Sequence, residues 1–298
     1  MSAERPTEAR NAKARGLESV TTRQILELMN EEDATVPAAV RIALPAIERA
    51  VDEIVKAFAG EHRLRYIGAG TSGRLGVLDA SEAPPTFGIE EDLVRGIIAG
   101  GDEALRRSIE GAEDDSSAGA RAVRDHVRDG DVLVGISASG RAKFVTAGMV
   151  MARELRARTV ALTCDPSSPL AKDADIAIVV DVGPEVLAGS SRLKAGTATK
   201  LALNQITTSA LASAGKVFGP WMIDLKTGSE KLRDRALRIV GAACGVSSED
   251  ARRLLARSRG ELRTAIVMGR TGARYAAARR RLDDANGDLR SALEGSAR

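Results

Sequence analysis

The sequence predicts an α/β fold, a three-layer αβα sandwich with a central parallel sheet, preceded by helices and followed by a small helical unit. Three observations predict it. From residue 64 onward, short apolar runs alternate with stretches of helical periodicity. Those runs are continuous rather than alternating, as expected of parallel strands buried on both faces. Past Lys231 the helical period continues without strand-like runs to the end of the sequence.

The elements follow in order. Leu17 to Met29 and Val36 to Phe58 carry apolar residues at three- and four-residue spacing, including Ile25, Leu28 and Met29, then Val40, Ile47, Val51 and Ile54. This is the pattern of two amphipathic helices. The second is expected to start near Val36-Pro37, since proline suits a first helical turn. Pro45 is expected to kink or interrupt it. The strand-like runs are Leu64 to Ile67, Gly96 to Ala99, Val132 to Ile136, Thr159 to Leu162 and Ile176 to Val180. Helices are predicted over Arg74 to Glu82, Glu103 to Glu110, Ala118 to Val127, Ala142 to Leu155 and Gly196 to Ala214. In the tail, Gly245, Gly260, Gly272 and Gly287 divide the pattern into short helices. Ser247-Ser248-Glu249-Asp250 reads as a capped helix start with an acidic first turn. The expected organisation is an N-terminal helical segment (1–60), a ligand-binding α/β domain (61–230) and a helical C-terminal domain (231–298).

Composition narrows the function classes. At 298 residues and 44% hydrophobic content the chain can bury a sizeable core. Aromatic residues make up only 2%, which argues against single-stranded nucleic acid as a partner, because bases need rings to stack on. The net charge of +3 is dispersed, and Arg279-Arg280-Arg281 reads as a solvated helix face. No nucleic-acid partner is expected. Cys164 and Cys244 are far apart and fit free thiols in a reducing cytoplasm. His62 and His126 lack partners at metal-ligand spacing, so no metal is expected. Met1 to Pro6 show no apolar leader, and no apolar stretch reaches the roughly 18 residues of a membrane span. A soluble cytoplasmic protein without a membrane partner is the expectation.

Two loops carry the chemistry. The first strand runs into Gly68-Ala69-Gly70-Thr71-Ser72-Gly73 and directly into a helix. This matches the dinucleotide fingerprint G-x-G-x-x-G, but that fingerprint wants an acidic residue ending the next strand about 20 residues on. Here the second run ends in Ala99-Gly100-Gly101. A phosphate reading fits better, since bare amides at a helix start, with Thr71 and Ser72 beside them, favour an anion. The third strand repeats the arrangement in Ser137-Ala138-Ser139-Gly140. Loops at the carboxyl ends of neighbouring parallel strands can converge on one ligand. A third cluster, Gly189-Ser190-Ser191-Arg192-Leu193-Lys194, adds two cations before the long helix, and Arg192 is suited to clamping phosphate or carboxylate. Glu82 stands where Pro84-Pro85 are expected to stop the first loop's helix. Glu113 lies in Glu110-Gly111-Ala112-Glu113-Asp114-Asp115, where spacing alone does not choose among the four acids.

The string Gly68-Ala69-Gly70-Thr71-Ser72-Gly73-Arg74-Leu75-Gly76-Val77-Leu78-Asp79-Ala80-Ser81-Glu82-Ala83-Pro84-Pro85-Thr86-Phe87 closely resembles the N-acetylmuramic acid 6-phosphate etherases. So do Thr7-Glu8-Ala9-Arg10-Asn11, Glu110-Gly111-Ala112-Glu113-Asp114, Gly183-Pro184-Glu185-Val186, Gly189 to Thr197, Leu203-Asn204 and Gly215-Lys216-Val217. These motifs keep their order from the first helix to about Arg238. The resemblance implies a sugar isomerase (SIS) domain, a homodimer, a phosphorylated amino-sugar substrate and no cofactor or metal. It implies cleavage of a D-lactyl ether, with Glu82 as proton donor and Glu113 as the second acid/base carboxylate. Gly70, Thr71, Ser72, Ser137, Ser139 and Gly140 are then expected to hold the phosphate or sugar hydroxyls, with Arg192 and Lys194 on anionic groups.

The sequence departs from that family's pattern at several places. Ala142-Lys143-Phe144 replaces the usual Thr-Pro-Tyr, Ala83 a common Cys, and Gly219-Pro220-Trp221 and Gly228-Ser229 the usual Asn-containing segments. Neither glutamate is affected. Two other readings share the fold: a non-catalytic phosphosugar sensor resembling the glucokinase regulatory protein, and an aldose–ketose isomerase. Neither would release lactate.

Overall fold

The computed structural model describes residues 7–224 and 230–295. Met1 to Pro6 and the Gly228-Ser229 departure lie outside them. The chain packs as two units, one up to Ser81 with Glu91–Ala210, the other Glu82–Glu90 with Leu211 onward.

The first unit opens with 3-10 turns at Ala12–Ala14 and Leu17–Ser19, then α1 (Thr22–Asp33) and α2 (Val36–Ala59). The predicted start at Leu17 is corrected to Thr22. Thr21 and Gln24 form a reciprocal capping box there, satisfying amides that no helix carbonyl reaches. α2 begins at Val36-Pro37 as the pattern predicts, but Pro45 does not break it. Pro45 and Arg41, whose carbonyl loses its amide partner, both lie on the exposed side, where solvent can satisfy that oxygen. The opposite face buries Val36, Val40, Ala43, Ile47, Ala50, Val51 and Ile54.

The remaining elements of this unit are β1 (Leu64–Gly68), the first part of α3 (Gly70–Phe87), β2 (Val94–Ile98), α4 (Ser116–His126), β3 (Val132–Ile136), α5 (Lys143–Glu154), β4 (Arg158–Thr163), α6 (Pro169–Asp173), β5 (Ile176–Val179) and most of α7 (Lys194–Ser213). All five predicted strands are present. They form one parallel sheet in the order β2-β1-β3-β4-β5. Every residue of β1 and β3 is buried, which is why these runs lack alternation. Arg65 is the polar exception. Its guanidinium donates to the carbonyls of His126, Asp92 and Leu64, so its burial leaves few donors unmet.

Two predicted helices differ. Glu103 to Glu110 is not a helix; only a 3-10 turn, Asp102–Leu105, forms, and within it Ala104 alone is buried. The segment offers no apolar stripe to bind a helix to a core. α3 does not stop at Glu82 but runs through Pro84 and Pro85 to Phe87. The two prolines remove only their own amide donors, and the Gly88 amide still closes onto the Pro84 carbonyl at 2.9 Å.

The second unit holds a two-stranded hairpin that the pattern did not reveal, β6 (Val217–Phe218) with β7 (Trp221–Met222), its turn set by Gly219 at φ +55°. Five short helices follow: α8 (Glu230–Cys244), α9 (Ser248–Arg257), α10 (Leu262–Thr271), α11 (Tyr275–Asp284) and α12 (Leu289–Glu294). The four predicted glycine breaks all have positive φ, and Ser247 caps α9 through the Asp250 amide. Ile239, Val240, Leu262, Ile266, Val267 and Leu282 form the unit's own core. Among the described residues no helix is long and apolar enough to cross a membrane.

Candidate functional site

The sheet order reverses between β1 and β3. The chain leaves β1 for β2 on one side and returns to β3 on the other, which opens a crevice at the carboxyl ends of those two strands. Gly68, the last residue of β1, pairs with Ile136, the last of β3. The two hydroxyl-bearing loops therefore leave the sheet side by side at its switch point. This is what the repeated glycine–hydroxyl motif predicts.

The first loop is built by close backbone approach. A Cβ on Gly68 would stand 2.6 Å from the Gly73 amide nitrogen, so the strand end and helix start exclude any side chain between them. Gly70, at φ +54°, opens α3 and leaves Thr71 and Ser72 in its first turn. The second loop closes through the Gly140 amide to the Ser137 carbonyl at 2.9 Å. Gly140 has φ +65°, and a Cβ there would meet the Ser168 hydroxyl at 1.8 Å. The Thr163 hydroxyl and the Cys164 amide both donate to the Ala138 carbonyl, at 3.0 and 2.9 Å, fastening this loop to the end of β4. The hydroxyls of Thr71, Ser72, Ser137 and Ser139 make no hydrogen bond to any described residue, although Ser137 is buried. Buried or half-buried hydroxyls without partners in a crevice are donors available to a ligand.

The third cluster joins the first loop. Thr71 Cγ2 lies 3.6 Å from where Gly196 would carry a Cβ, placing the first turn of α7 beside the start of α3. Arg192 is exposed and unpaired among the described residues. Lys194, expected on a ligand anion, is 3% exposed and its ammonium donates to Glu32 at 2.6 Å. Burial near two carboxylates, Glu32 and the Glu185 cap, draws its charge inward. Glu185 accepts the backbone amides of Lys194 and Ala195 at 3.0 Å each, a negative charge at the helix N-terminus. Asn11 reaches Glu32 and the Pro184 carbonyl, and the Gly189 amide donates to the Thr7 carbonyl. The N-terminal motif is thus docked on the loop that delivers Arg192.

Two of the four acids in the acidic segment have partners. Asp115 caps α4 through the Ala118 amide at 2.8 Å. Asp114 pairs with Lys143 at 3.3 Å, at the start of α5 just past the second loop. Arg74, in the opening turns of α3, donates to the Arg107 carbonyl at 3.1 Å, tethering the same segment to the first loop's helix. Glu110 and Glu113 are exposed and uncommitted, and Glu113 lies in the 3-10 turn that packs on α5. Glu82, in the later part of α3, is exposed too. One turn before it, Asp79 accepts Asn204 at 2.7 Å and the Thr207 hydroxyl, and Tyr66 meets Thr207 at 2.5 Å. This buried network was not evident in the sequence; Leu203-Asn204 in the matching motifs was its only sign.

Cys164 is buried, which together with Glu185 and Asp181 pushes its thiol up to about 12, and Cys244 is likewise a free thiol raised by burial. Neither is primed as a nucleophile.

Two family models match the chain: the glucokinase regulatory protein N-terminal SIS domain over residues 46–153, and the SIS domain over residues 114–209. N-acetylmuramic acid 6-phosphate etherase of Geobacillus thermodenitrificans (strain NG80-2) is 47% identical over 292 residues, covering 97% of this chain and 98% of that protein. The enzyme of the same name from Rhizobium rhizogenes is 48% identical over 288 residues, covering 96% and 94%. Among solved structures, a phosphoheptose isomerase from Francisella tularensis superposes with a TM-score of 0.52 at 19% identity, over 65% of this chain and all of that one. That last likeness is one of fold.

Proposed function

The chain belongs to the N-acetylmuramic acid 6-phosphate etherase family, and from that premise we propose that it removes the D-lactyl ether of N-acetylmuramic acid 6-phosphate, giving N-acetylglucosamine 6-phosphate and D-lactate. The observation that carries this reading is identity of 47% over 292 residues, 97% of the chain. It is a carbon–oxygen lyase acting on a cell-wall sugar. The two free thiols fit a cytoplasmic setting.

The chemistry follows from the substrate. In the open-chain sugar the C2 proton is acidic because it lies α to the C1 aldehyde, and the C3 ether oxygen lies β to that aldehyde, where loss of the proton can expel it. A base takes that proton, the electron pair forms the C2–C3 double bond, and the C3–O bond breaks. The lactate alkoxide receives a proton as it leaves. Water then adds at C3 of the unsaturated aldehyde, and a proton returns to C2. One acid and one base suffice, each typically contributing about 10² to 10⁴ in rate.

Thr71, Ser72, Ser137 and Ser139, with the amide of Gly70, hold the phosphate and sugar hydroxyls in this reading, supported by their uncommitted hydroxyls at the switch point, and Gly140 shapes the second loop that presents them. Arg192 serves the phosphate end beside Thr71. Glu82 is the proton donor and Glu113 the second acid/base group. In this reading the protein is a homodimer, in which Glu82 of one copy serves the crevice of the other.

Incubation with N-acetylmuramic acid 6-phosphate tests the reading. D-lactate and N-acetylglucosamine 6-phosphate should appear in equal amounts. A ketose phosphate without lactate would instead identify an isomerase, and binding without turnover a sensor.

A further inference from the structure

Beside the second loop one carboxylate oxygen has no hydrogen bond, and one cation faces it. Asp165 is fully buried. Its Oδ1 accepts the backbone amide and the hydroxyl of Ser167 at 2.8 and 2.7 Å, which fixes the plane of the group. Its Oδ2 has no hydrogen-bond partner among the described residues. Leaving such an oxygen unmet inside a fold is costly. Arg141, the residue after Gly140, points Nη2 at this oxygen from 3.8 Å, near enough for charge attraction and too far for a hydrogen bond. The Arg141 side chain is 37% exposed, so part of it reaches solvent, and it follows directly on the second loop.

A guanidinium has five donors in a planar fork. With one nitrogen drawn toward a fixed carboxylate, the other donors of the fork are free for a second planar anion. The etherase substrate carries two anions, a phosphate and the lactyl carboxylate. Hydroxyls and amides of the two loops suit the tetrahedral phosphate. The carboxylate suits an arginine fork. Lys194 is held by Glu32, and Arg192 has no carboxylate to orient it. Arg141 is a partly exposed cation faced by a buried carboxylate oxygen that has no hydrogen-bond partner among the described residues.

We infer that Arg141, oriented by Asp165, binds the carboxylate of the C3 lactyl substituent and thereby selects the ether-bearing substrate over the plain amino sugar 6-phosphate. This inference rests on the etherase reading. Asp165 is a positioning residue in it, acting through Arg141.

The test compares KM for N-acetylmuramic acid 6-phosphate with the inhibition constant of N-acetylglucosamine 6-phosphate, which lacks the carboxylate. Arg141→Met should raise KM about 10- to 100-fold and leave the inhibition constant within about threefold. Arg141→Lys, a point charge without the fork, should fall between. Asp165→Asn should raise KM about tenfold by loosening the arginine, again without moving the inhibition constant. An Arg141→Met protein with both constants weakened alike assigns Arg141 to the phosphate or the scaffold and overturns the inference; so does one with neither changed. Should Arg141→Met not fold, Arg141→Lys carries the same comparison. Wild-type protein that releases no lactate overturns the etherase reading itself, a result distinct from an unchanged ratio in an active variant.

Discussion

The ammonium of Lys194 donates to Glu32 at 2.6 Å, joining the first turn of α7 to the last turn of α1 across 162 residues of sequence. Glu32 also accepts Lys13 at 2.9 Å and Asn11 at 2.8 Å. Burial pushes this carboxyl up, but hydrogen bonds from Lys13, Lys194 and Asn11 and the Lys194 charge outweigh it and bring it down to about 2. The Glu32 cluster therefore holds the loop that carries Arg192.

Lys194→Ala should leave Glu32 buried with a weaker set of partners and destabilise the protein by about 3 kcal/mol. Chemical denaturation checks this. A variant as stable as wild type would mean the pair carries no weight.

Acid sensitivity has a definite sign here. The folded-state pKa of Glu32 is depressed, so its contribution is fully present above about pH 4.5 and is lost as pH falls toward about 2. Glu32→Gln should be less stable at neutral pH and should lose less stability between about pH 4.5 and 2 than wild type does. Parallel pH profiles for the two proteins would contradict the assignment.

Gly140 takes φ +65° with the Ser168 hydroxyl where a Cβ would stand. Gly140→Ala should displace the second loop from the β4–α6 turn, destabilise by about 1–3 kcal/mol and reduce kcat/KM at least about tenfold. Melting temperature and steady-state kinetics read both effects. Alanine here with normal activity would remove the loop from the site.

Thr207→Val should leave the Tyr66 hydroxyl and one oxygen of Asp79 unmet in the core, costing about 1–3 kcal/mol. Denaturant midpoints measure it. A neutral result would mean that the network exchanges partners freely.

Much of this was legible in the sequence, for identifiable reasons. The strands of the sheet showed as unbroken apolar runs because both faces of β1 and β3 are covered. Both hydroxyl loops were found because Gly68, Gly73 and Gly140 are demanded by backbone contacts that only glycine permits. Pro84 and Pro85 misled, since a proline's penalty is local while the helix end is set by the bonds beyond it. Lys194 misled for a different reason. A basic residue at a helix start looks like an anion ligand until its partner Glu32, far off in sequence, is known. The hairpin at Val217–Phe218 and Trp221–Met222 was too short to show a period.

If Glu82 serves a neighbouring copy, inactive variants should complement. Glu82→Ala mixed with a Ser72→Ala, Ser137→Ala double variant, under conditions that let subunits exchange, should recover about a quarter of wild-type activity, as expected of random pairing in a twofold dimer. No recovery would place both groups in one subunit's site.

The central claim is that this crevice performs β-elimination followed by addition of water, with Glu82 and Glu113 moving the protons. Turnover in H₂¹⁸O-enriched D₂O, read by mass spectrometry, addresses it directly. The account predicts deuterium at C2 and ¹⁸O at C3 of the N-acetylglucosamine 6-phosphate, with D-lactate unlabelled at its hydroxyl oxygen. It further predicts that lactate release falls by about 10² or more in Glu82→Ala and in Glu113→Ala. Label in the lactate hydroxyl, or full activity in either variant, would contradict it.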